Sequence, residues 1–132
     1  MSQPPDTHVI VIGGGAAGLI CAGTAAARGK QVLLLERMPQ PGRKLLITGK
    51  GRCNLTNNCD WDVFMSAVNR GGRFLYSAWN AFSAGDTMEF FEGLGVPLKT
   101  ERGNRVFPVS DRSIHVVDAL VGEEVLARAQ GR

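Results

Sequence analysis

The sequence predicts an α/β fold: the N-terminal portion of a doubly wound parallel sheet, with extra helices and a β-hairpin. Three observations carry this reading. A short apolar run, His8-Val9-Ile10-Val11-Ile12, leads directly into Gly13-Gly14-Gly15-Ala16-Ala17-Gly18. A small-residue helical pattern follows from Ala16 to Arg28 and stops at Gly29. A second apolar run, Val32-Leu33-Leu34-Leu35, ends on an acid, Glu36. Strand, glycine turn, helix, strand and acid, in that order, are the layout of a Rossmann-like dinucleotide-binding βαβ unit.

Each part has a physical role. Gly13 permits the tight turn off the first strand, Gly15 lets a pyrophosphate approach the backbone, and Gly18 allows close helix–strand packing. The first N–H groups of the helix, around Ala16 and Ala17, lack intrahelical partners and meet an anion with the positive end of the helix dipole. Glu36 ends the second strand, where its oxygens can accept hydrogen bonds from an adenosine ribose. Its charge disfavours a 2′-phosphate, and therefore NADP, at this position. A glycine fingerprint alone is a weak signal. Here it has a strand before it, a helix and a second strand after it, and an acid about twenty residues on.

The chain has 132 residues, one domain at most, with 44% apolar and 20% charged residues, as in an ordinary soluble globular domain. Nine of its 17 glycines fall between Gly13 and Gly51. The net charge of +3 is too small to argue for nucleic acid, and no nucleic-acid-binding module surrounds the basic residues. Their distribution is informative. Arg28, Lys30, Arg37, Arg43, Lys44, Lys50 and Arg52 face only one acid, Glu36, within that stretch. Such a local excess suits phosphates, and is also what a basic solvated face looks like.

Cys21, Cys53 and Cys59 form neither a CxxC nor a zinc spacing, so no metal site is expected. Their odd number, and a short polar Met1–Asp6 with no basic-then-apolar leader, give a reducing cytoplasm as the expected compartment. No apolar run approaches the roughly 18 residues of a membrane span. The expected partner is a small-molecule substrate, with no nucleic acid and no membrane; oligomeric state is not readable.

In chain order, residues 1–7 read as disordered and residues 8–132 as the N-terminal part of one nucleotide-binding domain. Strands are expected at His8–Ile12 and Gln31–Leu35, with a helix at Ala16–Arg28 between them and Gly29 at its C-terminal cap. Arg37–Asn58 is a long connection, of a length that is usually functional. Within it Leu45–Ile47 fits either a helical turn or a strand. Asp60–Asn69 and Phe74–Phe82 read as helices, the latter with Leu75, Trp79 and Phe82 on one core-facing side. Ser83 and Asp86 have capping-box spacing at the head of a helix that reaches Leu94, with Met88, Phe91 and Leu94 inward. Val96–Glu101 and Arg105–Val109 form a hairpin that Pro97 and Pro108 keep at a sheet edge or outside the main sheet. Ser110 is expected to cap a last helix, Asp111–Ala129, with Ile114, Val117, Leu120 and Val121 inward. A doubly wound sheet would then want a third parallel strand, and none is visible, so the sequence is expected to be the start of something longer.

Cys21 is expected in the core, Cys59 inert at a helix start, and Cys53 in a packing or backbone role in preference to a redox one. His8 and His115 have no acidic or metal-like partner nearby in sequence. No Ser/His/Asp set or carboxylate pair is evident, so no catalytic residue is assigned. That suits an enzyme whose cofactor carries the chemistry.

The run Pro41-Gly42-Arg43-Lys44-Leu45-Leu46-Ile47-Thr48-Gly49-Lys50-Gly51-Arg52-Cys53-Asn54-Leu55-Thr56-Asn57 combines cations, backbone made approachable by glycine, and amide side chains. With GGGAAGL at Gly13–Leu19, the longer run LLERMPQPGRKLLITGKGRCNLTN at Leu34–Asn57 that contains it, FFEGLGVPLKTERGNRVFP at Phe90–Pro108 and SDRS at Ser110–Ser113, the chain resembles a family of bacterial FAD-dependent oxidoreductases. That group includes aminoacetone-oxidase-like and bile-acid-reductase-like flavoproteins. The resemblance implies FAD in the βαβ unit, with NAD(P)H as a possible electron donor. It implies Glu36 on the adenosine ribose, Arg37 beside the adenine, and Arg43 and Lys44 on the pyrophosphate side. It places Gly51, Arg52, Cys53, Asn54 and Leu55 toward the ribityl chain or flavin ring, and the Arg105–Pro108 strand in or next to the site. It also implies a protein several hundred residues long, with an inserted substrate domain and a C-terminal return to the flavin. Two other readings stay open: a non-catalytic nucleotide-binding fragment, and an NAD-binding dehydrogenase half.

Overall fold

The computed structural model describes residues 8–122, and has a mixed α/β architecture with two small sheets. The expected βαβ unit is present: strand β1 (Val9–Ile12), helix α1 (Ala16–Ala27) and strand β2 (Val32–Leu35). The strands pair in parallel with Val9 opposite Val32 and Ile12 opposite Leu35. Alternation along them puts Val11 and Val32 into a small core with Ala22 and Ala26 of α1. The opposite face of the pair, Ile10, Ile12, Leu33 and Leu35, is exposed.

Helix α1 lies unusually close to β1. A Cβ added to Gly18 would stand 1.8 Å from the Gly13 carbonyl oxygen, so only glycine fits there. The helix ends in a Schellman motif. Gly29, at φ +75°, donates to the Ala26 carbonyl at 2.9 Å, and the Lys30 amide donates to the Ala25 carbonyl at 3.1 Å.

The long connection is more ordered than its composition suggests. It contains helix α2 (Arg43–Ile47), a 3₁₀ turn (Thr48–Gly51) and a two-residue strand β3 (Thr56–Asn57). The choice left open at Leu45–Ile47 resolves as helix. Helices α3 (Trp61–Ala67), α4 (Tyr76–Ala81) and α5 (Ala84–Gly93) follow, with a 3₁₀ turn, Gly72–Leu75, before α4. The Phe74–Phe82 helix is therefore split, and begins only at Tyr76. At the head of α5 the capping box forms: the Ser83 side chain accepts from the Asp86 amide, and the Ser83 amide donates to the Asp86 carboxylate at 2.8 Å.

The hairpin β4 (Leu98–Glu101) and β5 (Arg105–Pro108) lies outside the parallel sheet, as its prolines require. It is joined by β3 in an antiparallel sheet of order β3-β5-β4, so β5 is the central strand. Pro108 occupies its last position, opposite Leu98, where a missing N–H interrupts no further pairing. Helix α6 (Ser113–Val121) completes the described residues.

That helix starts later than expected. Asp111 sits at φ +55°, which no helix accommodates, and Arg112 takes the N-cap position without a side-chain cap. The Ser110 hydroxyl instead meets His115 Nδ1 at 2.8 Å. The part of the expected helix beyond Gly122, and the expected disorder of residues 1–7, lie outside the described residues.

The main core gathers Leu19, Cys53, Phe91, Val96, Val116 and Leu120 from α1, the glycine-rich connection, α5 and α6. Val117 and Leu120 are buried as expected, Val116 was not anticipated, and Ile114 and Val121 are only half-buried. Four other residues depart from expectation. Phe82 and Leu94 are exposed, and Trp79 is half-buried, stacking with Phe64 at 4.6 Å in an aromatic cluster separate from the core. Cys21 is exposed, because α1 buries the face carrying Leu19, Ala22 and Ala26. Cys53, by contrast, is fully buried, and burial pushes its thiol pKa up.

Three measurements check this packing. Gly18→Val should prevent stable folding, as judged by loss of a cooperative thermal transition. Ser83→Ala should cost about 1 kcal/mol, read from chemical denaturation. A thiol reagent should label Cys21 fast and Cys53 only on unfolding.

Candidate functional site

The site is built where β1 and β2 end. Gly13 leaves β1 at φ +102°, and its amide still donates to the Leu35 carbonyl at 2.7 Å, so the glycine turn stays attached to the second strand. One strand further on, the Glu36 carboxylate turns back over that turn. Its Oε2 accepts the Gly14 amide at 2.6 Å and its Oε1 accepts the Met38 amide at 2.7 Å. The hydrogen bonds from Met38 and then Gly14 hold this carboxyl below the ordinary glutamate range, so it is ionised. A third bond, Gly42 N–H to the Gly14 carbonyl at 2.7 Å, draws the following connection against the same turn.

A cleft of about 550 Å³ opens here. Gly14, Gly15 and Ala16 line it from the glycine turn, Glu36, Arg37 and Met38 from the end of β2, and Arg43, Lys44, Leu45 and Ile47 from α2. Two features suit an anion. Gly15 is the N-cap of the 12-residue α1 with no side-chain cap and no acid in the first turn, so the leading N–H groups are uncompensated. A Cβ on Gly15 would meet nothing within 4 Å, so the approach to the backbone is open. None of Arg37, Arg43 and Lys44 takes part in an ion pair among the described residues; Arg43 only touches Met38 Sδ at 4.0 Å.

Of the residues singled out in the sequence, Gly15, Ala16, Glu36, Arg37, Arg43 and Lys44 converge on this cleft. Gly13, Ala17 and Gly18 build the turn and helix beside it without lining it. Gly51, Arg52, Cys53, Asn54 and Leu55 do not line it. The Cys53 side chain is in the core, the Asn54 amide donates to the carbonyls of Thr56 and Val106, and the Leu55 amide donates to Val106 at 3.0 Å. Arg52 is held by acids of the hairpin side. Around Gly51 the backbone is open, and an added Cβ would meet only the Leu46 carbonyl at 3.9 Å.

Gly14, Met38, Gln40, Gly42, Leu45 and Ile47 line the cleft without having been singled out as binding residues. Gly14 had a signal, since three glycines run in a row. The fingerprint treats its position as variable, yet a Cβ there would stand 3.1 Å from Glu36 Oε2 and from Pro41 Cβ. An apolar groove of about 320 Å³ between α1, α5 and α6 has Arg28 as its one charged residue and lacks such donors. Among the described residues no three metal-ligating side chains gather, and no helix is long and apolar enough to cross a membrane.

The chain has relatives among known proteins. The chain is 40% identical over 116 residues to the 3-dehydro-bile acid delta(4,6)-reductase of Clostridium scindens, covering 83% of this chain and 27% of the relative. It is 34% identical over 115 residues to the ribosomal RNA dihydrouridine synthase of Escherichia coli, covering 86% and 28%. The chain thus spans about a quarter of the length of these curated relatives. Residues 7–130 match the family described as the HI0933-like protein Rossmann domain, and the chain belongs to that family.

Proposed function

We propose that this chain is the FAD-binding N-terminal segment of an FAD-dependent oxidoreductase. The observation that carries the reading is the convergence on one cleft of a helix N-terminus without a side-chain cap, an ionised Glu36 and three cations that form no salt bridge among the described residues. The residues fit the adenosine diphosphate half of such a cofactor. Backbone N–H groups at Gly15 and Ala16 would meet the pyrophosphate. Glu36 keeps a free lone pair on each oxygen after accepting its two amides, and would accept from the ribose hydroxyls. Arg37 would lie beside the adenine, with Arg43 and Lys44 countering phosphate charge.

The flavin supplies hydride chemistry when bound; the chain's part is to hold and orient it. A reduced nicotinamide is the proposed electron donor, and the proposed compartment is the cytoplasm. One relative is named for a bile acid and the other for ribosomal RNA, so substrate choice is assigned to regions beyond this segment, and the substrate stays unspecified.

The test is flavin binding by the complete protein. Purified protein should carry flavin absorbance. Glu36→Arg should weaken FAD binding by roughly tenfold or more, since it removes charge-assisted hydrogen bonds. Gly15→Val should do the same while leaving the melting temperature nearly unchanged, because its side chain enters open space. A colourless, folded protein that takes up no FAD would refute the proposal.

The pH dependence has a defined sign. Glu36 has its pKa lowered from 4.5 by folding, so the stability it contributes is complete above that value. It is lost as pH falls from there through the lowered folded value. Glu36→Gln should remove that part of the acid-side decline in the denaturation midpoint.

A further inference from the structure

Arg52 does not line the cleft; it enters a cluster of four charges that ties three chain segments together. Its Nη2 meets Glu101 Oε1 at 2.6 Å, and its Nε meets Asp111 Oδ1 at 2.8 Å. Lys99 Nζ completes the set, at 2.7 Å from Asp111 Oδ2 and 3.3 Å from Glu101 Oε1. The guanidinium also stacks over the Phe107 ring, 4.0 Å from its centroid. Two carboxylates and an aromatic face, arranged around one planar fork, form a site that lysine cannot reproduce.

The segment that Arg52 terminates is strained. Gly49, Lys50, Gly51 and Cys53 all have positive φ, and two of them are not glycine. Asp111, at the other end of the clamp, also has positive φ. Such backbone persists only where its surroundings over-determine it. Cys53 is anchored by the core and Asn54 by β5, which leaves Arg52 as the outer fastening of the turn. The turn begins directly after Ile47, the last α2 residue lining the cleft.

We propose that Arg52 is a positioning residue for the cofactor: clamped by Glu101 and Asp111, it fixes the Thr48–Gly51 backbone that directly follows Ile47 of the cleft wall. It acts through the hairpin and not by touching the flavin. The inference rests on the FAD reading above, and it moves control of cofactor affinity partly onto two acids, Glu101 and Asp111, that do not line the cleft.

The test is a double-mutant cycle on the complete protein, measuring FAD dissociation constants and the shape of the visible flavin band well below each variant's melting temperature. Arg52→Lys, Arg52→Ala and Glu101→Gln should each weaken FAD by roughly tenfold and blur the band. The Arg52→Ala/Glu101→Gln double variant should be no worse than either single one. Lys99→Gln, which leaves both carboxylates on Arg52, should have little effect. Wild-type affinity in the Arg52 variants would overturn the proposal. So would an affinity loss in Arg52→Ala that Glu101→Gln does not share, since that would make Arg52 a direct ligand. If Arg52→Ala does not fold, Arg52→Lys and Glu101→Gln decide the matter. Failure of the wild-type protein to take up FAD would instead refute the flavin reading itself, and the clamp's role with it.

Discussion

One carboxylate joins the parts of this site. Glu36 accepts the Gly14 amide on one oxygen and the Met38 amide on the other, spanning the two strand ends. Gly14 in turn accepts from Gly42, which leads into α2. The glycine turn, the end of β2 and the basic helix are therefore one hydrogen-bonded assembly. Removing the charge would turn one of those acceptors into a donor, deprive one of the two amides of its partner and loosen the wall of the cleft. The same ionised group is well placed to accept from a sugar, so the fold's closure and the proposed recognition use the same oxygens.

The second organising constraint is steric. At Gly18 the helix backbone meets the Gly13 carbonyl where any side chain would collide. That contact sets the height of the helix N-terminus above the strand ends, and hence where its unpaired N–H groups lie. At Gly15, in the same fingerprint, an added Cβ would meet nothing within 4 Å. One glycine is required by the protein itself; the other is required only if something is to approach.

The βαβ unit was legible because its signals are local: two short apolar runs, a Schellman glycine at Gly29, and an acid ending β2. The capping box at Ser83 and Asp86 was legible for the same reason. The hairpin's separation from the parallel sheet followed from Pro97 and Pro108. What could not be read depended on contacts distant in sequence. Asp111 takes positive φ while bonded to Arg52 and Lys99, and this delays α6 past the residue that looked like its cap. Helical spacing marked Trp79 and Phe82 as apolar without showing that Trp79 joins an aromatic cluster with Phe64 and Trp61, or that Phe82 stays exposed beside Phe90. Composition made Arg52 one more cation for a phosphate, and only the fold shows Glu101 and Asp111 around it.

The glycine turn, Glu36 and α2 are proposed to form a receptor for the diphosphate and sugar of a nucleotide. The most direct measurement is a titration of the ¹⁵N-labelled chain with ADP, followed by amide chemical shifts. The account predicts shifts concentrated at Gly14, Gly15, Ala16, Met38 and Lys44, saturating together. Saturating shifts confined to the apolar groove of Leu19, Phe90 and Leu94, with the glycine turn unmoved, would contradict it.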